Sequence, residues 1–191
     1  MSQLLKDGHF KVDCQDGYWR ASLSYAVEQG QTDAMGLLID DWGANTEIEI
    51  QSRLWISDKS KTPLLYAASE GYTAVIRLLV ENGANPDTAD VWGKTPMFHA
   101  AVNGAAPAVK LLLHFGAAPN LTGSIKRRGD TSYASGMTPL AAATEIGQAE
   151  VVRVLLATGN VDVDTQDADN AALVRCASWV RRNRKSVSQN G

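Results

Sequence analysis

The chain has 191 residues, 45% of them hydrophobic and 20% charged, with a formal net charge of −3. That is long and apolar enough for a sizeable core, and the charge balance gives no pull toward nucleic acid. Only Cys14 and Cys176 are present, which implies no disulfide framework and leaves a single bridge open; no stretch approaches the apolar length of a membrane span.

Residues 1–17 form a polar lead with one small apolar cluster, Leu4 and Leu5. They read as an arm that caps the rest of the chain. The first twenty residues lack an apolar signal core, which points to a cytoplasmic or nuclear protein. From Ala21 a pattern begins that returns three times. The weak copy spans Ala21 to Ala44. Thr62 to Asn85 reads T-P-L-L-Y-A-A-S-E-G-Y-T-A-V-I-R-L-L-V-E-N-G-A-N. Related copies run from Thr95 to Ala117 and from Thr138 to Gly159. Each copy keeps an interior glycine nine residues after its start: Gly30, Gly71, Gly104 and Gly147.

One copy predicts a helix pair. Thr62 caps a first helix, and Pro63 suits the first helical position, where a missing N–H costs nothing. Ala67 and Ala68 let a neighbouring helix approach closely. Gly71 ends the helix, because glycine tolerates the left-handed conformation there. Val75, Ile76, Leu78, Leu79 and Val80 give the second helix its apolar face. A single pair cannot bury that face alone, so the copies must stack. In the first copy the second helix, A-M-G-L-L-I-D-D-W, holds an interior Gly36 and one residue more than its counterparts.

The copies are unevenly spaced, with starts 41, 33 and 43 residues apart. The excess lies between the second helix and the next start. Thr46 to Lys61 alternates apolar and polar residues on both sides of Gln51-Ser52, which predicts a two-stranded hairpin. Leu121 to Met137 is rich in Gly, Ser and Thr around a basic triplet, Lys126 to Arg128, and reads as a flexible loop.

The T-P-L-x-x-A-A starts and G-A ends resemble the ankyrin repeat family over about Tyr18 to Trp179. The resemblance implies an all-α solenoid of helix-turn-helix repeats with enlarged finger loops beside a concave groove. Four repeats would fill residues 18–166, starting near 21, 62, 95 and 138. A C-terminal half-repeat would cap the stack over 167–185, with a disordered tail at 186–191. The family's usual histidine, three residues after each start, is replaced here by Ser24, Leu65, Phe98 and Ala141. Apolar packing must take over its role, or the repeat geometry differs locally.

The same register places candidate groove residues. Tyr25, Tyr66 and His99 stand four residues after successive starts, with Glu70, Asn103 and Glu145 further along the groove edge. Trp92 and Trp55 fall on fingers, outside the helical pattern, and are expected to be solvent-exposed. One reading is a protein-binding groove built from Trp92, Trp55, Tyr25, Tyr66, His99, Asn103 and Glu70, for aromatic and mixed polar residues mark recognition surfaces. The partner is an unidentified protein. The alternative is a small-molecule or catalytic pocket under the fingers, with Tyr66 and His99 exchanging protons beside Glu70 or Glu145. Under that alternative His99→Ala is expected to abolish turnover while leaving the fold intact, as a groove-facing side chain would.

Other chemistry is absent from the sequence. Three scattered histidines, His9, His99 and His114, suggest no metal site, and no cofactor motif is present. Gly93-Lys94-Thr95 imitates the end of a phosphate-binding loop, but Thr88 stands where its first glycine must be. Arg128-Gly129-Asp130 reads as a turn in a polar loop. The basic run Arg181 to Lys185 reads first as cations placed at a helix C-terminus; the alternative is a nuclear-import or anionic-partner patch.

Overall fold

A computed structural model describes residues 11–16, 20–48, 61–126 and 133–162. Among them are eight α-helices and one two-stranded sheet. The helices come in pairs: α1 (Ser22–Glu28) with α2 (Thr32–Gly36), α3 (Pro63–Glu70) with α4 (Thr73–Glu81), α5 (Pro96–Val102) with α6 (Ala106–His114), and α7 (Pro139–Ile146) with α8 (Ala149–Ala157). Strands β1 (Gly123–Lys126) and β2 (Tyr133–Met137) stand between the third and fourth pairs. First helices pack in one row, α1, α3, α5, α7, and second helices in another.

The punctuation residues produce this order. Thr62, Thr95 and Thr138 each accept an N–H from the third residue onward, at Leu65, Phe98 and Ala141, and proline follows each cap. The four interior glycines all take positive φ, between 63° and 92°, a conformation that costs any residue with a Cβ. The extra residue of the first repeat is absorbed as a π-helical turn, Leu37–Asp41, directly after Gly36. Such a turn is what one inserted residue in a helix becomes.

Packing follows from residue size. Pro63 through Ser69 of α3 are all buried, and Ala67, Ala68, Ala100 and Ala101 allow the first helices to lie close. Second helices bury one face only: Val75, Ile76 and Leu79 in α4, Val109 and Leu112 in α6. Polar ties run from repeat to repeat at the base of the fingers. The backbone N–H groups of Asn45, Asn85, Ala118 and Asp162 donate to the side chains of Asp13, Glu47, Asp87 and Asn120, at 2.8–3.1 Å.

The second finger corrects the sequence expectation. Its two ends are not loop but antiparallel strands, with Ile125 opposite Ala134 and Gly123 opposite Met137. The reason is Phe98. It stands where the family histidine would be, is fully buried, and forms a second apolar cluster with Ile125, Met137, Ala141 and Ala142. Apolar packing has thus taken over from the histidine, and the hairpin supplies it. The hairpin predicted in the first finger falls largely at residues 49–60, outside the described residues, as does the C-terminal cap.

Gly123 lets the hairpin sit this close. A Cβ there would lie 3.1 Å from Lys94 Cγ, 3.2 Å from Lys94 Cα and 3.2 Å from Phe98 Cδ2. Gly123→Ala is therefore expected to cost about 1–3 kcal/mol, the usual effect of overpacking. Urea denaturation measures it, and an unchanged midpoint would mean that β1 does not press on Lys94.

Candidate functional site

Asp90 organises the turn that carries Trp92. Its Oδ1 accepts the backbone N–H groups of Trp92 and Lys94, both at 2.9 Å. Its Oδ2 is 2.8 Å from His99 Nε2, on the first turns of α5. The carboxylate is 1% exposed and the imidazole 9%. Burial opposes ionisation of Asp90, but the bonds from His99 and from the two amides outweigh it and hold the carboxyl below its usual range. Burial lowers the proton affinity of His99; the Asp90 bond opposes this, and the cations of Lys61 and Lys94 lower it further. A carboxylate can only accept, so Nε2 of the ring is the donor in its bond to Asp90.

This places His99 differently from the sequence expectation. It is not a free groove-facing side chain but a buried partner of a carboxylate, so His99→Ala is expected to cost stability rather than leave the fold untouched. Sequence reasoning does not single out Asp90. The available signal is its place three residues before Gly93 and five before Thr95, where a side-chain acceptor closes a tight turn.

Tyr66 is also buried. Burial, then the charges of Glu70, Tyr72 and Glu28, push its hydroxyl up to about 12. Among the described residues no hydrogen bond joins Tyr66 to His99. Glu70 is exposed beside Tyr66, and Glu145 lies half-buried on α7. Tyr25 is 42% exposed at the other end of the row, where its hydroxyl donates to Asp16 Oδ2 at 2.6 Å and Arg20 covers its ring. Asn103 Nδ2 donates to the Ser69 carbonyl at 2.9 Å, tying the third repeat to the second. Trp55 lies outside the described residues.

Trp92 is 41% exposed, as expected, with Val91 67% and Leu121 40% exposed on the neighbouring finger segments. Its backbone is held at both ends: its N–H donates to Asp90, and its carbonyl accepts from Ser124 of β1 at 3.2 Å. A cavity of about 180 Å³ opens where the second and third repeats meet β1. Lys61, Ser69, Lys94, His99 and Asn103 are its polar lining, and Val102 and Ile125 the apolar part. A larger, open trough of about 570 Å³ runs between α4 and α6, along Thr73, Arg77, Lys110 and His114. Among the described residues, no three His, Cys, Asp or Glu side chains gather in a way that could hold a metal ion. No helix among them is long and apolar enough to cross a membrane.

Paired helices stacked in two rows, with turns projecting at one edge, define a helical-repeat solenoid. Family models agree: three ankyrin repeats match residues 23–123, and a further ankyrin repeat matches 135–168. The chain belongs to the ankyrin repeat family, whose members are generally protein-interaction modules. A search of curated proteins found no match.

Proposed function

We propose that the chain recognises another protein through its concave groove, with the Trp92 finger as the main anchor. One observation carries this reading: a large aromatic side chain stands 41% exposed on a backbone fixed by bonds to Asp90 and Ser124. A rigid aromatic loses little conformational freedom when it docks, and such residues dominate binding energy at interfaces. Val91 and Leu121 add apolar area beside it. Asn103 and Glu70 would supply polar contacts along the floor, with Tyr25 at the far end.

Trp92→Ala is expected to weaken partner binding by about 1–2 kcal/mol or more, as truncation of a central aromatic does. The side chain lies outside both apolar clusters, so helical content should not change. Calorimetric titration of wild type and variant measures the loss. Equal affinities would move the binding surface away from the Trp92 finger.

A further inference from the structure

The row of second helices changes character along its length. In the later repeats the same position holds a cation, Arg77, Lys110 and Arg153, and all three are exposed. In the first repeat that position is Gly36, and Leu37 follows it at the start of the π-helical turn. Leu37 is 59% exposed. Asp33, Asp40 and Asp41, also exposed, lie three or four residues to either side, the spacing of neighbours on a helix surface. No lysine or arginine occurs between Ala21 and Ser52. The first repeat thus presents an apolar knob ringed by carboxylates that no cation of its own repeat offsets.

The next two repeats present the opposite. The open trough of about 570 Å³ between α4 and α6 has an apolar lining of Ala74, Pro107 and Leu111 and a basic one of Arg77, Lys110 and His114. Arg77 is 54% exposed and pairs with Glu81 at 3.7 Å, itself 53% exposed; a pair so open to water is worth little. Its guanidinium lies 5.9 Å above the Phe115 ring, which steadies it beside the trough. Lys110 is exposed, and among the described residues no carboxylate pairs with it.

We infer that two copies of this chain pair through their second helices, Leu37 of each copy entering the trough of the other, with Asp40 and Asp41 set against Arg77 and Lys110. Knob and trough are complementary in charge, and α2, α4 and α6 are successive members of one row. A two-fold axis between knob and trough therefore satisfies both contacts at once and closes the assembly. The contact is small, which places it among weak, reversible interfaces. It uses none of the residues of the Trp92 groove, so it stands apart from that reading.

Sedimentation equilibrium of the full chain, at concentrations up to about 1 mM, the dissociation constant of a very weak pair, tests this. A monomer–dimer equilibrium that weakens with added salt is expected. Leu37→Asp should weaken it about tenfold or more, and so should Lys110→Glu, since like charges then face each other. Adding Asp40→Lys and Asp41→Lys to Lys110→Glu in the same chain should restore the dimer. Lys110 is exposed on a regular helix, so its exchange decides the matter even where Leu37→Asp disturbs the π-helical turn. A monomer at every concentration would overturn the inference. So would a dimer that Lys110→Glu leaves unchanged, or one that the combined exchange fails to restore.

Discussion

Phe98→Ala is expected to destabilise the protein by about 3–5 kcal/mol, the usual range for truncating a buried phenylalanine. The side chain is fully buried, and it links α5 to the second-finger hairpin and to α7 through Ile125, Met137, Ala141 and Ala142. Its removal therefore loosens the joint between the third and fourth repeats as well as leaving a cavity. In a repeat stack such a change acts mainly on one nearest-neighbour interface. Hydrogen exchange should show this as early opening of residues 123–126 and 133–137, with α3 and α4 little changed. Phe98→His restores the family's usual residue and should also destabilise, since an imidazole in that apolar cluster lacks partners. A urea midpoint for Phe98→Ala equal to wild type would contradict the role given to this side chain.

Asp90→Ala is expected to cost about 3 kcal/mol or more. Three N–H donors lose their acceptor, those of Trp92, Lys94 and His99, and bonds to a charged group are worth about 1.5–3 kcal/mol each without being strictly additive. The same hub gives a pH dependence whose sign is fixed. The proton affinity of folded His99 is lowered, so below an unfolded value of about 6.5 the unfolded chain takes up its proton first. Stability should fall as pH drops from 7 toward 5. Asp90, also lowered in the folded state, extends the loss at still lower pH, where its carboxylate is finally protonated. Urea midpoints at pH 7 and pH 5 measure the effect. His99→Gln should flatten the difference, and an identical slope in that variant would place the acid sensitivity elsewhere.

Much of the frame is legible in the chain because the signals are local. Thr-Pro starts, paired alanines and interior glycines dictate caps, close approach and left-handed stops within a few residues of themselves. The surplus residue around Gly36 is legible as a length anomaly. Its form, a π-helical turn, is not, since it depends on which neighbours hold the helix. The second finger misleads for a related reason. Its Gly, Ser and Thr content suits a loop, and its strand character comes from Ile125 and Met137 finding Phe98, residues separated widely in the chain. The missing histidine at position 98 is the clue, for an aromatic there needs an apolar partner.

The site divides in the same way. The exposure of Trp92 follows from its place outside the helical pattern. The burial of His99 and its bond to Asp90 do not, because the turn at Asp90, Trp92 and Lys94 brings the carboxylate back over α5. Position along the repeat gives the correct helix for Tyr66 and His99 but not the direction of their chemistry. Tyr66 is a buried phenol beside carboxylates, and His99 is a buried imidazole between a carboxylate and two lysines.

Amide hydrogen exchange of the full chain, with and without a selected peptide that binds it, tests the groove assignment most directly. Protection is expected at residues 61–70 and 90–104, around the cavity and the Trp92 turn. Protection confined to Thr73–Glu81 and Ala106–His114, which border the outer trough, would contradict it.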